Sequence, residues 1–204
     1  MSISEGTGEN SGDGDAAEQT ESLAGRFLIA MPNIGDPRFD RSVIYVFSHD
    51  DSGARGLIVN RVTRDIAFAD LLRQLELEVI ADVSATPVRL GGPVEVERGF
   101  VLHSPDYYRE EATLKVDEAI SMTATIDVLK AIAAGRGPER ALFALGYAGW
   151  GAGQLEREIR QNGWLQTDGD ADIVFDPTDD GKWSRALGLL GVDPSLLSSA
   201  AGSA

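Results

Sequence analysis

The chain has 204 residues, of which 43% are hydrophobic and 25% are charged. This balance is typical of a soluble globular domain, and no apolar run reaches the ~18 residues that a membrane span needs. The absence of cysteine excludes disulfides, thiolate nucleophiles, Fe–S clusters and cysteine-based zinc sites. The net charge of −15 argues against direct nucleic-acid binding, because DNA affinity comes largely from neutralising phosphates with Lys and Arg.

The two ends of the chain differ in composition from its middle. Residues 1–22 are small and polar with six acids and no Lys or Arg, so we expect a disordered acidic tail. Removing these six from the 33 acids leaves 27 against 18 bases, and the rest is still acidic. The sequence thus predicts one α+β domain over residues 23–195 and a flexible C-terminus over 196–204. The start lacks the basic and apolar regions of a signal peptide, so we expect a cytoplasmic protein without membrane association.

The first half of the domain predicts a hairpin followed by a helix. A short apolar run at Phe27–Ala30 indicates a strand that ends before Pro32. The runs at 42–47 and 56–60 flank the turn-forming Asp50–Gly53, which predicts two paired strands. Phe68, Leu71, Leu72 and Leu75 recur at helical spacing, which indicates an amphipathic helix.

The second half alternates strands and helices without a regular period. The predicted elements are strands at 88–90, 99–102, 119–122, 141–145 and 173–175, and helices over Val128–Ile132, Leu155–Ile159 and Trp183–Leu190. Thr125 is placed to cap the first of these helices and Gly135 to end it. Because no βαβ repeat appears, the pattern favours a single compact α+β domain over a parallel doubly wound fold.

Two dense glycine-rich segments identify a family resemblance. The first runs from Gly91-Gly92-Pro93 to Arg98-Gly99-Phe100-Val101-Leu102-His103, and the second from Gly146-Tyr147-Ala148-Gly149-Trp150 to Gly153-Gln154-Leu155-Glu156. Together with Leu28–Pro32, Asp36-Pro37, Arg41–Val43 and Gly56–Asn60, they resemble the YqgE/AlgH family of uncharacterised bacterial proteins. The resemblance extends in order from about Leu23 to Asp193.

The resemblance implies a fold but no reaction. It implies a bifurcated, partly barrel-like β-sheet surrounded by helices in a bacterial cytosolic protein, and some members of the family are labelled transcriptional regulators. Two departures matter. Many members carry cysteine just before the histidine that aligns with His49, where this chain has Phe47-Ser48, and many end in Gly-His-Ala, which is absent here. Thiol or terminal-histidine chemistry is therefore not expected.

The glycine-rich segments supply the candidate binding residues. An arginine beside the Gly91-Gly92-Pro93 bend could make two parallel hydrogen bonds to a carboxylate or phosphate. A histidine at a strand end could accept or donate a proton near neutral pH. Free N–H groups where a helix starts at Gly153 could hold an anion. If the segments lie together, they form a site for a small anionic ligand or a protein partner. The candidates are Gly91, Gly92, Arg98, His103, Tyr147, Gly149, Gly151, Gly153 and Gln154.

Each candidate also has a structural interpretation. The glycines would pack backbone against strands, Trp150 would anchor the core, and Arg98 would pair with Glu95 or Glu97. Asp36 and Asp40 are closer to a turn with local ion pairs than to catalytic carboxylates. The dinucleotide fingerprint fails because Gln154 stands at its third glycine position. Two histidines without cysteine do not predict a metal, and no cofactor is expected.

Three function classes remain open. The first is a non-catalytic regulatory or interaction protein, which fits the absence of a catalytic constellation and is our leading hypothesis. The second is an enzyme or a binder of small anions or nucleotides that uses His103, Arg98 and the helix start at Gly149–Gly153. The third is a transcriptional regulator, against which the acidic charge stands. The sequence predicts neither the partner nor the oligomeric state.

Overall fold

The structure is a computed structural model that describes residues 21–32 and 34–197. In these ranges no helix has the length and apolar character needed to cross a bilayer. The strands are β1 (Arg26–Ala30), β2 (Val43–Asp50), β3 (Gly53–Ile58), β4 (Val62–Thr63), β5 (Val88–Leu90), β6 (Val94–His103), β7 (Thr113–Lys115), β8 (Ser121–Thr123), β9 (Ala141–Gly151) and β10 (Trp164–Asp168). The α-helices are α1 (Phe68–Gln74), α2 (Ile126–Ala133), α3 (Gln154–Arg160), α4 (Ala171–Val174) and α5 (Lys182–Leu189).

The strands form one curled sheet that branches. Its main path runs β10-β1-β2-β3-β9-β6-β8-β7, and β4 and β5 leave this path beside β9. Within the described residues all strand pairings are antiparallel except that of β5 with β9. The first half of β9 lies between β5 and β6, while its second half pairs with β3. The expected bifurcated, half-barrel α+β fold is confirmed.

The branch point depends on close contact between backbones. Gly91 N–H donates to the Leu145 carbonyl at 2.8 Å, and the Gly91 carbonyl accepts from Ile58 N–H at 2.9 Å. A Cβ on Gly91 would lie 2.3 Å from the Gly146 carbonyl oxygen, and one on Gly92 would lie 2.1 Å from the Tyr147 carbonyl carbon. Only glycine fits at such approach distances, so the first glycine-rich segment is the seam between the two branches.

Three apolar clusters pack on the sheet. Alternate residues of β1 point to opposite faces: Phe27 and Ile29 join the cluster under α4 and α5, and Leu28 and Ala30 join the one that includes Leu155 of α3. The third cluster lies between α1, α2 and the branch of β5, β6 and β9. Each face of the sheet is thus covered by helices that the amphipathic pattern supplies.

A buried ionic cluster fixes α5 to the sheet. Lys182 is fully buried, and its Nζ donates to the Val59 and Val174 carbonyls at 3.0 Å each. It also lies 3.1 Å from Asp179 Oδ1, which accepts from Arg89 Nε at 3.0 Å. Burial and the nearby Arg89 charge lower the pKa of Lys182 to about 8, although Asp179 opposes this.

The structure corrects several details of the predicted elements. The strand predicted at 173–175 is wrong: residues 171–174 form α4, because Asp170 accepts from the N–H groups of Asp172 and Ile173 and starts a helix there. The strands β4, β7 and β10 were not predicted, and β6 begins at Val94 rather than Gly99. Thr125 is at the N-cap of α2, but its side chain makes no capping bond.

Other predictions about chain organisation lie partly outside the described residues. The expected disorder of the tail falls mostly on residues 1–20, and that of the C-terminus on 198–204, so both stay predictions together with the domain bounds. Where the description begins, Glu21 pairs with Arg26 at 3.3 Å, and Ser22 Oγ donates to the His49 carbonyl at 3.1 Å.

Candidate functional site

The candidate residues are distributed over several places instead of one cavity. Gly91 and Gly92 form the seam, and Tyr147 packs edge-on against Phe100 with ring centroids 5.5 Å apart. Arg98 borders one cleft, Gly149 and Gln154 line a second, and Gly153 lines a third. Gly151 is exposed at the end of β9. The two glycine-rich segments are neighbours in the sheet, but their polar side chains do not converge.

His103 is fully buried and both ring nitrogens have partners. Nδ1 donates to the Ser104 carbonyl and Nε2 accepts from the Thr123 hydroxyl, each at 2.9 Å; these roles follow from the carbonyl being only an acceptor. Burial lowers the pKa of His103, although the Ser104 carbonyl and Asp106 oppose this. The ring is therefore held neutral and away from solvent, where it supports β6 and β8.

His49 connects the backbone at Leu23 to α3. Its Nδ1 accepts from Leu23 N–H at 3.0 Å, so Nε2 carries the proton and donates to Glu156 Oε1 at 2.7 Å. Burial raises the pKa of Glu156, but its backbone N–H and His49 outweigh this and hold the pKa below its usual value. Both nitrogens are again occupied, so His49 shares the structural role of His103.

An apolar cleft of about 280 Å³ opens between α1 and the start of α2. Its floor is formed by buried side chains of the third cluster, among them Phe68, Leu72 and Phe143. At its rim Leu75 and Ile126 are 44% and 41% exposed. We call this surface the apolar cleft; it is lined by Phe68, Leu71, Leu72, Gln74, Leu75, Glu97, Arg98, Gly99, Val101, Thr123, Ala124, Thr125, Ile126, Val128, Leu129, Phe143 and Leu145.

Two charged residues, Glu97 and Arg98, line the apolar cleft. Arg98 donates to Glu95 Oε2 at 2.9 Å, and its guanidinium lies 5.2 Å from the centroid of the Phe100 ring. Glu97 makes no ion pair within residues 21–32 and 34–197. The rim therefore offers apolar surface and one uncompensated carboxylate.

A second cleft of about 380 Å³ lies between α3 and the loop before β2. We call it the aromatic cleft; it is lined by Ile34, Asp36, Arg38, Phe39, Pro93, Gly149, Trp150, Gln154, Glu158, Gln161, Gly163 and Trp164. Three rings pack edge-on in series: Phe39 against Trp164 at 5.6 Å, and Trp164 against Trp150 at 5.8 Å between centroids.

Glu158 is the centre of the polar network in the aromatic cleft. Its Oε2 accepts from the indole N–H groups of Trp150 at 2.9 Å and Trp164 at 2.8 Å. Its Oε1 accepts from Gln154 Nε2 at 2.9 Å, and Gln154 Oε1 in turn accepts from Gly151 N–H at 3.1 Å. Gln154 therefore positions the Glu158 carboxylate. This negative charge would repel the anionic ligand that the sequence predicted at this place.

The opposite wall carries its own ion pair. Arg38 Nη2 lies 2.7 Å from Asp36 Oδ2, and Asp36 also accepts from Arg38 N–H at 2.9 Å. The arginine side chain and its backbone N–H hold the pKa of Asp36 below its usual value. The expected turn with a local ion pair is confirmed at this position.

Two further clefts have charged linings. One of about 370 Å³ is bordered by His49, Gly153, Glu156, Arg157 and Arg160 with two aspartates, and one of about 290 Å³ by Arg109, Asp127, Lys130 and Arg136 with Ala131. Both contain acids as well as bases. Among the described residues no group of three His, Asp or Glu side chains could hold a metal ion.

Sequence reasoning missed Glu158, Leu75 and Ile126 as surface-defining residues. Glu158 follows Gln154 by four positions, the spacing at which helical side chains meet, and that signal could have paired them. Its two tryptophan partners lie on β9 and β10, and β10 was not predicted. Leu75 was assigned to the buried face of its helix, whereas it is exposed at the C-cap of α1.

Comparison with known proteins identifies relatives across nearly the whole chain. The profile of a family described as AlgH-like matches residues 27–195. A UPF0301 protein of Ruegeria pomeroyi is 57% identical over 183 residues, which cover 89% of this chain and 99% of the relative. A UPF0301 protein of Bradyrhizobium diazoefficiens is 51% identical over 189 residues, covering 89% of this chain and 88% of the relative.

Solved structures support the same relationship. The solution structure of the AlgH protein from Pseudomonas aeruginosa matches with a TM-score of 0.73 and 42% identity, and covers 91% of this chain and 97% of that one. The crystal structure of protein DIP2367 from Corynebacterium diphtheriae matches with a TM-score of 0.65 at 20% identity, over 84% and 89% of the two chains. The second likeness shows the fold alone.

Proposed function

We propose, from the surface of a chain that belongs to the AlgH-like family, that it is an interaction protein without catalytic activity. The apolar cleft carries the proposal. Leu75 and Ile126 are large apolar side chains left 44% and 41% exposed on either side of a hollow. An open apolar hollow on a soluble domain is typical of a protein-binding surface.

The size of the apolar cleft favours side chains over a metabolite. Its volume of about 280 Å³ is at the lower limit of the ~300–1,000 Å³ typical of small-molecule sites. The floor is apolar, and both histidines make internal hydrogen bonds instead of facing it. A few apolar side chains projecting from another protein would fill such a hollow and bury the exposed rim.

Charge favours a partner that differs from this chain. A second copy would bring another net charge of −15 to the interface, and like charges oppose association. Glu97 at the rim makes no ion pair among the described residues. We therefore propose an apolar segment flanked by at least one basic residue. A regulatory role would then depend on binding a protein and not DNA. The expectation that the chain does not bind DNA rests on its net charge.

Site-directed photocrosslinking in cells tests this proposal. A photoreactive residue at Leu75 or Ile126 is expected to give a discrete adduct with another protein, whereas one at Leu114, also exposed but outside the apolar cleft, is the matched control. Substituting Leu71 by Asp should abolish the adduct from Ile126. Equal adducts from Leu114, or an adduct with the mass of two copies of this chain, would contradict the proposal.

A further inference from the structure

We propose that the aromatic cleft is a binding site for a small organic ammonium ion, separate from the apolar cleft and its protein partner. The basis is the juxtaposition of the Glu158 carboxylate with three aromatic rings in a hollow of about 380 Å³. That volume falls within the ~300–1,000 Å³ range of small-molecule sites. The site also gives a role to the second glycine-rich segment, because Gly149 and Gln154 line it.

Glu158 has hydrogen-bond donors but no cation. Its three donors are two indole N–H groups and one amide, all neutral. A carboxylate accepts about four hydrogen bonds, so one acceptor position is left on Oε1. Neutral donors stabilise a carboxylate but leave its net charge in place, so a half-buried carboxylate of this kind still attracts a positive partner. Among the described residues no Lys or Arg pairs with it.

The aromatic rings favour the same sign of charge. Phe39 is the partly exposed ring of the hollow, and Trp164 and Trp150 lie behind it with 3% and 7% of their surface exposed. The faces of aromatic rings attract cations. The protein already places one cation there: the Arg38 guanidinium lies 6.0 Å from the centroid of the Phe39 ring. An ammonium group with a short apolar body would contact the Phe39 ring and the carboxylate, and the two buried indoles would sense it through their hydrogen bonds to Glu158.

The net charge of the lining is negative. Arg38 and Asp36 compensate each other at 2.7 Å, which leaves Glu158 as the unbalanced charge of the wall. An anion would meet this carboxylate directly. The lining therefore selects a cation. Arg38 is a cation of the protein itself and competes with the ligand for this negative surface.

The three tryptophans give a direct measurement. The indole N–H groups of Trp150 and Trp164 donate to Glu158. The indole N–H of Trp183 donates to the Ala30 carbonyl, with 3.0 Å between nitrogen and oxygen, and Trp183 does not line the aromatic cleft. In a titration of the full chain with n-butylammonium chloride followed by NMR, the Trp150 and Trp164 indole signals should shift and saturate at millimolar concentration while the Trp183 signal stays in place. Sodium chloride at equal ionic strength and n-butanol, the uncharged analogue, should not produce these shifts.

Two variants with a matched control separate the charge effect from folding. Glu158→Gln should weaken n-butylammonium binding at least tenfold. Arg38→Gln should tighten it severalfold, because it removes the competing cation and leaves the Asp36 carboxylate of the lining without its partner. Arg160→Gln, on the same helix but outside the aromatic cleft, should change affinity less than twofold. If Glu158→Gln does not fold, the exposed Arg38 position decides alone.

Four outcomes would overturn the proposal. They are unshifted indole signals with n-butylammonium, equal shifts with n-butanol, unchanged or weaker binding in Arg38→Gln, and a folded Glu158→Gln that binds as the wild type does. None of them bears on the apolar cleft, so the protein-interaction proposal stands or fails on its own experiment.

Discussion

The two glycine-rich segments are alike in sequence and meet at the seam, but the later glycines of the second segment lie on an open surface. Gly91 and Gly92 are enclosed at the seam, where added Cβ atoms would lie 2.3 Å and 2.1 Å from backbone atoms of Gly146 and Tyr147. Gly149 and Gly151 are exposed, and a Cβ on Gly151 would come no nearer than 3.9 Å to Gln154 Oε1. The seam is a closed junction, whereas the end of the second segment borders an open cleft.

Charged groups near the two segments follow the same division. Two residues before Gly91, the buried Arg89 pairs with Asp179, which also pairs with Lys182. Beside Gly149 the Asp36–Arg38 pair is in contact with solvent, with the arginine side chain 64% exposed. Glycine-rich sequence therefore forms a closed backbone contact at one place and accessible surface at the other. The residues that pack against each backbone determine the difference.

The largest effect is expected at the seam. Gly92→Ala places a methyl group 2.1–2.3 Å from the Tyr147 and Ala148 backbone, and strands paired on both sides cannot move apart without losing hydrogen bonds. We expect cooperative unfolding to be lost or the free energy of unfolding to fall by more than about 3 kcal/mol. Denaturant melts followed by circular dichroism measure this, and wild-type stability in the variant would refute the closed junction.

The same substitution at the two ion pairs should separate buried from exposed charge. Asp179→Asn leaves Arg89 and Lys182 as buried cations without a counter-charge, so we expect a loss of about 3–5 kcal/mol. Asp36→Asn breaks an exposed pair, for which about 1 kcal/mol or less is expected. Urea melts of both variants give the two values, and equal losses would show that burial does not distinguish the pairs.

The buried lysine predicts a stability that rises with pH. Folded Lys182 loses its proton near pH 8, whereas the unfolded chain keeps it up to about pH 10.5. In this window the unfolded state binds more protons, so raising the pH favours folding by about 1–2 kcal/mol between pH 7 and 9.5. Above about pH 10 the trend should reverse, because burial and then Asp117 raise the pKa of Tyr45 in the folded state only.

A pH series of denaturant melts measures this dependence. Lys182→Met is the control, in which the rise between pH 8 and 9.5 should vanish even if the overall stability is lower. A stability that falls steadily from pH 7 to 9.5 in the wild type would contradict the lowered pKa.

The smallest effect is expected on the open side. Gly151→Ala meets no atom closer than 3.9 Å and adopts an ordinary strand conformation in β9, so we expect a change within about 0.5 kcal/mol. Thermal unfolding beside Gly92→Ala provides the comparison. A large loss in Gly151→Ala would mean that the end of the second segment is as closed as the seam.

The sequence by itself determined much of the fold. The apolar run of β2 and the turn at Asp50–Gly53 specified a hairpin, and the helical spacing from Phe68 to Leu72 specified α1, because these signals are local. Where local chemistry was ambiguous, prediction failed. The apolar run Ile173–Phe175 resembles a strand, but the capping bonds of Asp170 make it the helix α4.

Only the tertiary structure decided where the accessible surfaces lie. Glu158 is held by hydrogen bonds from Trp150 and Trp164. Lys182 donates to the carbonyls of Val59 and Val174, which are 123 and eight residues away along the chain. The same is true of Gly91 and Gly92, whose closeness to Gly146 and Tyr147 comes from β5 joining β9. Such contacts depend on which strands become neighbours, and a local pattern does not carry that information, because pairing is a property of the whole sheet.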